Sequence, residues 1–333
     1  MDSLTQIALG SAVSVAVMGR KTALWKAALW GAIAGTLPDL DALIDHGDAI
    51  LNMTRHRAET HSFFYLTLAA PLLAWGVAKL HGEMTLFKRW WLALWLVLIT
   101  HPLLDTMTVY GTQLLMPFSN YPFQIGSIFI IDPLYTVPLI VGVVLALRLK
   151  DDRGIHYNAT GLIFSTVYLM WSFAAQQHTT TLARTSLESK GLAEAALLVT
   201  PAPFNTLLWR VLAVTPTQYF EGHYSLLDPT KKIIWTSHDK GAELISQYDK
   251  EVSVARIKAF THGFYRLSQT DGNLFVTDLR MGQEPAYTFN FNLGKPENLP
   301  NTVPQLMSQR PNLDTALPWL WRRMWGEVIA SPR

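Results

Sequence analysis

Hydrophobic and polar positions divide the chain into two portions that meet near residue 176. Before that point apolar runs cover 4–18, 22–37, 62–80, 90–108, 128–147 and 157–175. The last four are long enough to cross a hydrocarbon core, which takes about 20 helical residues. The first two are shorter, and suit tilted helices, helices sunk in a bundle, or a hairpin that does not cross. After residue 176 the pattern changes. Positions 182–198 keep helical spacing, and short alternating runs follow at 207–214 and 232–236. A pair of alternating runs over 264–279 flanks Asp271-Gly272, a hairpin signal. Pro300, Pro304, Pro311 and Pro318, then Trp319, Trp321 and Trp325, predict a loop and a short helix lying on a membrane surface. The expected fold is an α-helical polytopic membrane bundle of about six apolar helices over 1–175, followed by a soluble α+β or mainly β domain over 176–333.

Composition agrees with a membrane protein. Half of the 333 residues are hydrophobic and only 16% are charged, against about a quarter in soluble domains. A mean hydropathy of +0.17 is low for a chain made only of spans, as a sizeable soluble portion would make it. The net charge of +2 points away from nucleic acid, and the lack of cysteine excludes disulfides, thiolate metal sites and cysteine nucleophiles. No signal peptide is expected, because Asp2 stands where a basic segment would be and Arg20 and Lys21 follow the first apolar run. If all six runs cross, one side of the membrane receives Arg20, Lys21, Lys79, Lys88, Arg89, Arg148, Lys150 and Arg153, and the other only Arg55 and Arg57 before the C-terminal portion. The rule that basic loops stay inside makes the first side cytoplasmic. The chain is then a multi-pass protein of a bacterial inner membrane with a periplasmic C-terminal domain.

Ionisable residues at membrane depth are costly unless paired, hydrated or metal-bound, so they mark candidate sites. Four clusters stand out: Asp39 and Asp41 after the second run; Arg55, His56, Arg57, Glu59 and His61 in the next loop; His101 and Asp105 in the fourth run; and Asp132 in the fifth. His101 and Asp105 are four apart and share a helix face. In the topology above all four clusters fall in the outward leaflet, which the loop charges did not require. Histidines and aspartates without cysteine suit Zn²⁺, Mn²⁺, Mg²⁺ or Fe²⁺, with ligands enough for one or two ions. Arg55 and Arg57 match anionic oxygens in geometry, and Glu59 is a candidate base. Taken singly, each cluster has a plainer reading: Asp39 ends a helix after Pro38, the arginines meet lipid headgroups, His101 and Asp105 form a buried pair, and Asp132 caps a helix that starts at Pro133.

The stretches "GAIAGTLPDLD", "RHRAETHS", "THPLLDTMTVYGTQLLMPFS" and "FIIDPLYT" resemble the YdjM-like family of bacterial inner-membrane proteins, described as metal-dependent hydrolases. The resemblance covers roughly residues 1–175. It implies a polytopic membrane protein with Asp39, Asp41, His56, His61, His101 and Asp105 as the metal site. Gln6 departs from the pattern, since the family often has His there. The C-terminal portion carries no such resemblance.

The expected activity is hydrolysis of a phosphoester or ester in a lipid or lipid-linked substrate at the outer leaflet, since ligands at membrane depth suit a substrate that resides there. Asp39, Asp41, His56, His61, His101, Asp105 and Asp132 are the candidate metal ligands; Asp41, Glu59, Arg55 and Arg57 are the candidate catalytic groups. Two other classes use the same residues. A metal or proton transporter needs relay groups continuing toward the cytoplasmic leaflet, where these runs have almost none. A non-catalytic scaffold or sensor would keep the cluster as a structural metal staple.

Overall fold

The computed structural model describes residues 1–308 and 312–331, apart from the side chain of Pro300; Pro311 lies outside the described residues. Contacts divide the chain into one unit of 1–44 and 56–172 and a second of 45–55 and 173–333.

The first unit is helical. Helix α1 (Ser3–Met18) begins at Asp2, whose side chain accepts from the Thr5 amide, and α2 is Leu24–Thr36. After α2 the short 3₁₀ turn Pro38–Leu43 carries both aspartates of its cluster. Helix α3 (Ala49–Arg55) belongs to the second unit. Helix α4 (Phe63–Leu80) is capped by Ser62, α5 is Phe87–Thr106, and α6 is Pro133–Leu149. Helix α7 (Asp152–Glu188) begins in this unit and continues into the second.

Helices α1 and α2 meet backbone to backbone. A Cβ at Gly31 would lie 2.2 Å from the Gly10 carbonyl oxygen, one at Gly10 equally close to that of Gly31, and one at Gly35 2.6 Å from that of Gln6. Gly31 and Gly35 are thus a small-xxx-small seam of the kind that lets helices approach closely in a membrane. Around it pack Ala27, Ala70, Ala74, Ala93, Trp90 and Leu94, all buried. Outward-facing positions are apolar as well: Leu68, Leu72, Trp75, Val137, Val141, Ile163 and Phe164 are exposed. Such a surface is what a bilayer would cover.

The expected six apolar helices are not shown: among the described residues one helix, α4, is both long and apolar enough to cross a membrane, with α6 a shorter apolar helix. The reasons are local. Helices α1 and α2 span only 16 and 13 residues; α5 carries Lys88, Arg89, His101 and Asp105 within its 20 residues; and the apolar part of α7 is interrupted by Asn158, Ser165, Thr166 and Ser172.

The second unit is a β-sheet domain around the C-terminal part of α7. An antiparallel sheet runs β1 (Ala196–Pro201), β2 (Leu208–Val214), β3 (Gln218–Ser225), β4 (Thr236–Asp239) in chain order. Ala175 and Ala183 of α7 pack on Val199, Trp209, Val211 and Tyr224 of this sheet. Helical spacing over 182–198 gives way at Gly191, whose positive φ ends the helical stretch, and β-prone Leu197–Val199 enter the sheet instead. After α8 (Ala242–Tyr248) and α9 (Val252–Phe260) comes the hairpin β5 (Tyr265–Thr270) and β6 (Asn273–Asp278). Asp271 and Gly272 sit at its turn, both with positive φ as a type I′ turn requires. A two-residue ladder of β7 (Gly282–Gln283) and β8 (Ala286–Tyr287) follows, then β9 (Asn290–Gly294) and β10 (Gln305–Leu306), which complete a second sheet in the order β10-β9-β6-β5. Helix α3 packs on α9 and β10. The last helix, α10 (Leu313–Met324), is anchored by the buried ion pair of Arg323 with Asp228.

Gly31→Leu is expected to destabilise the chain by about 1–3 kcal/mol or more, because backbone stands where the new side chain must go. Gly76→Ala, with open space around its Cβ, should instead stabilise α4 by about 0.5–1 kcal/mol. Unfolding temperatures of the two variants in one detergent check this pair.

In the second unit, burial pushes the His223 imidazole down to about 4, with Arg210 and Arg323 adding to the effect and Glu221 opposing it. The unfolded chain takes up this proton near pH 6.5, so the folded state holds fewer protons between those values. Its contribution is therefore complete above about pH 6.5 and is lost as pH falls toward 4. The unfolding temperature of His223→Gln should fall less steeply over that interval than that of the unaltered chain.

Candidate metal centre

Four donor atoms converge inside the first unit. Nε2 of His61 and Nε2 of His101 are 3.1 Å apart. Oδ1 of Asp39 lies 3.3 Å from the first and 3.5 Å from the second, and Oδ2 of Asp105 lies 3.2 and 3.4 Å from them. All four atoms fall within 4.8 Å of one another. His61, His101 and Asp105 are buried, and Asp39 retains 20% exposure.

The surrounding hydrogen bonds fix which atoms carry protons. His101 Nδ1 is 2.7 Å from the Gly35 carbonyl oxygen, which can only accept, so Nδ1 bears the hydrogen and Nε2 presents a lone pair. Thr60 donates its hydroxyl to Asp41 Oδ2 at 2.6 Å, and its oxygen lies 3.0 Å from His61 Nδ1. His61 Nδ1 is then the donor and its Nε2 also presents a lone pair. Asp39 Oδ1 and Asp105 Oδ2 are buried and accept no hydrogen bond. Four lone-pair atoms, two of them on carboxylates, thus face one another without an intervening donor.

A divalent ion fits this set. Ligand distances of about 2.0–2.1 Å at tetrahedral angles place donors about 3.3–3.4 Å apart; five of the six edges run from 3.1 to 3.5 Å, and the sixth, between Asp39 and Asp105, lies within 4.8 Å. Imidazole plus carboxylate suits Zn²⁺ or another borderline ion. Both histidines have the outer partner that metal-bound imidazoles require, a carbonyl for His101 and the Thr60–Asp41 relay for His61.

The remaining sequence candidates lie in different places. Asp41 sits behind the donors: it accepts from Thr60, from the Arg57 amide at 2.9 Å, and faces His56 Nδ1 at 2.7 Å. Burial pushes its carboxyl up, but the hydrogen bonds from His56 and Thr60 outweigh that and hold it below its ordinary value. His56 is half-buried beside Tyr110, and its ring lies 6.0 Å from that of His61. Arg57 is buried, 3.3 Å from Asp105 Oδ2 through Nε, with its guanidinium over the Tyr110 ring. Glu59 is exposed at the start of the 3₁₀ turn Glu59–His61, and Arg55 is exposed at the end of α3. Asp132 stands outside the group: it is the N-cap of α6, accepting from the Leu134 and Tyr135 amides and from the Tyr168 hydroxyl.

Some contributors carried little sequence signal. The Gly35 carbonyl and Thr60 orient the two imidazoles, and only the Gly31-to-Gly35 spacing and the position of Thr60 next to His61 hinted at them. Gln6, singled out earlier for not being His, donates from Nε2 to Asp105 Oδ1 at 3.1 Å and to the His101 carbonyl at 3.3 Å, while its Oε1 is buried without a partner. The Met1 amino group also donates to Asp105 Oδ1. Arg57 adopts a φ of +65°, rare for a side chain with Cβ. Its amide bound to Asp41 and its carbonyl accepting from the Gln113 amide at 2.9 Å hold it there. The uncharged segment after α5 reaches back to this loop again through the Phe63 amide, which donates to the Leu114 carbonyl at 3.0 Å.

Comparison with known proteins places these residues in a family. No solved structure matches. A protein of Bacillus subtilis (strain 168) described as "Uncharacterized protein YfhP" is 22% identical over 247 residues, covering 70% of this chain and 72% of that one. A family profile described as "YdjM inner membrane protein" matches residues 1–179, which include every donor of the centre. With more than half of its 333 residues matched, the chain belongs to the YdjM family of inner membrane proteins.

Proposed function

We propose that this protein is a metal-dependent hydrolase of the bacterial inner membrane, acting on an ester or phosphoester of a lipid or lipid-linked substrate at the outer leaflet. The observation that carries the reading is the convergence, within 4.8 Å of one another, of four lone-pair donors, two of them carboxylate oxygens that accept no hydrogen bond. Asp39, His61, His101 and Asp105 would hold the ion, which would supply Lewis-acid polarisation of the scissile group's oxygen.

The chain's own residues supply the rest. His56, with Nδ1 against Asp41 Oδ1, keeps Nε2 as the atom that takes or gives a proton, in the manner of a carboxylate-oriented general base. Its 22% exposure and that of Asp39 put a substrate's approach on their side of the cluster. Arg57, buried with Nε 3.3 Å from Asp105 Oδ2, would balance the charge of that ligand. Arg55 and Glu59 have no place in this scheme, since neither is held toward the donors. The outward orientation and the periplasmic C-terminal domain rest on the basic-residue bias of the loops, and the lipid substrate on a site built among helices of an inner membrane protein.

A second reading has one observation in its favour. Four protein ligands are the pattern of structural zinc, so the centre would staple the helices without turnover. A transporter is less well supported, because this is the one group with metal-binding spacing among the described residues.

Metal content and turnover of purified protein separate these readings. The unaltered chain should carry one equivalent of metal and hydrolyse lipid ester or phosphoester in mixed micelles. His101→Ala should lose the metal, and Asp132→Asn should keep it while α6 is weakened by about 1 kcal/mol. His56→Ala should keep the metal and lower turnover by roughly 10²–10⁴-fold. Full metal occupancy with no hydrolysis of any lipid ester would establish the staple instead, and unchanged metal in His101→Ala would dismiss the centre altogether.

A further inference from the structure

The segment between α5 and α6 belongs wholly to the first unit and carries no charged residue from Thr106 to Ile131. Its exposed side chains are mostly apolar. Leu115, Phe118, Tyr121, Ile125 and Ile131 are between 41% and 78% exposed, and Asn120 is the one exposed residue of 109–131 with an amide or charged side chain. An apolar surface of this kind marks a site that another apolar phase or partner covers.

The neighbours of the loop identify what covers it. The Phe118 ring meets the Phe64 ring, in the first turn of α4, at 5.4 Å between centroids, and Ser62 donates its hydroxyl to the Met116 carbonyl. The exposed side of the loop is therefore continuous with Phe64, Tyr65, Leu68 and Leu72, the exposed side of the helix that is long and apolar enough to cross a membrane. Lipid that covers α4 reaches the loop without a break.

Helix length gives the level. The 18 residues of α4 rise about 27 Å at 1.5 Å each, close to a hydrocarbon core of about 30 Å, so the first turn stands at one hydrocarbon boundary. Irregular backbone avoids the hydrocarbon itself, and at its boundary side chains can dip among acyl chains while the backbone does not. The loop satisfies much of its backbone without water. Thr112 and Phe123 exchange amide-to-carbonyl bonds of 2.9 Å in both directions, and Ile125 and Ser127 donate to the carbonyls of Thr106 and Met107.

The same loop is bolted to the metal centre. Gln113 donates to the Arg57 carbonyl, Ser62 follows the ligand His61, Thr106 follows the ligand Asp105, and the Tyr110 ring stands edge-on to His56 at 5.6 Å. The centre is thus near the same boundary, where the ester and phosphate groups of bilayer lipids lie.

We propose that residues 115–121 lie among the upper acyl chains at the boundary where α4 begins, so that lipids still in their leaflet border the metal centre. The proposal rests on the membrane reading of α4 and not on hydrolysis. It deepens the proposed function by making the substrate a lipid that need not leave the bilayer.

The cysteine-free chain allows single labels without other changes. Full-length Leu115→Cys, Phe118→Cys, Leu72→Cys and Lys21→Cys would each carry a nitroxide in phosphatidylcholine nanodiscs; Leu72 lies on the exposed side of α4, and exposed Lys21 in the turn after α1. Collisions with oxygen, which concentrates in lipid, should exceed those with an aqueous nickel chelate at 72, 115 and 118, and the order should reverse at 21. The oxygen-to-nickel ratio at 115 and 118 should fall below that at 72, which lies about 12 Å further along α4 than Phe64. A nickel-accessible label at either 115 or 118 with a lipid-exposed 72 would overturn the proposal alone. A ratio at 118 as high as at 72 would put the loop in the hydrocarbon core and overturn its boundary level. A water-accessible 72 would overturn the membrane reading of α4, and the proposal with it. Shielding of 115 and 118 from both reagents would mean that protein, such as a second copy of the chain, covers the loop, and would also overturn it.

Discussion

The hydrogen bond from His101 Nδ1 to the Gly35 carbonyl is the interaction on which the candidate centre depends. It joins α5 to the end of α2 and determines which imidazole nitrogen is left to bind. That carbonyl can reach His101 only because α2 lies against α1 with no side chain between them, Gly31 on Gly10 and Gly35 on the Gln6 carbonyl. A methyl group at either glycine would force the helices apart by more than the tolerance of a hydrogen bond, which weakens steeply beyond its ordinary length. The glycine seam is thus both packing and ligand orientation.

Electrostatics explains why the cluster is so densely supported. Two carboxylates and two imidazole lone pairs buried together repel unless a cation stands among them. Around Asp105 the protein already places two positive groups, Arg57 and the Met1 amino group, and the uncharged Gln6 amide as a further donor. These address Oδ1 and one flank of Oδ2, leaving Oδ2 itself free to face the histidines. The unusual φ of Arg57 belongs to this arrangement, because the same residue offers its amide to Asp41 and its side chain to Asp105. Strain of this kind is kept where surrounding bonds over-determine the backbone, and here Asp41 and Gln113 do so.

Much of this was legible in the sequence, and what was not has physical causes. His and Asp residues in or beside apolar runs are conspicuous because they break them, which is why Asp39, His61, His101 and Asp105 stood out among the candidates. Rank within the cluster was not legible. Asp41 and His56 are as polar and as near in sequence as Asp39 and His61, and only the fold turns one pair toward the donors and the other into a dyad behind them. Asp132 shows the reverse: the Asp-Pro pair reads equally well as a cap or a ligand, and the amides of Leu134 and Tyr135 decide for the cap. In the second portion the Asp271-Gly272 hairpin was readable because turn chemistry is local. The strand at Ala196–Pro201 was not, since its residues also fit a helix and only pairing with β2 fixes them. The count of spans failed for a related reason, as polar residues needed for the site lower the hydropathy of the helices that carry them.

Whether such a centre works or merely braces turns on its one open side. A purely structural site gains by excluding solvent from every ligand, and His61, His101 and Asp105 are fully enclosed. Asp39 is not, and it comes from a short 3₁₀ turn rather than from a long helix. Its Oδ1 accepts no hydrogen bond, so it stands at the mouth of the cluster with a lone pair to offer. The half-exposed His56 opens on the same loop, with Asp41 tying it to the His61 relay through Thr60. A brace needs no second imidazole oriented by a carboxylate beside its most accessible ligand. A hydrolytic centre does, because a proton must enter or leave where the substrate arrives, and that asymmetry of exposure favours chemistry over stapling.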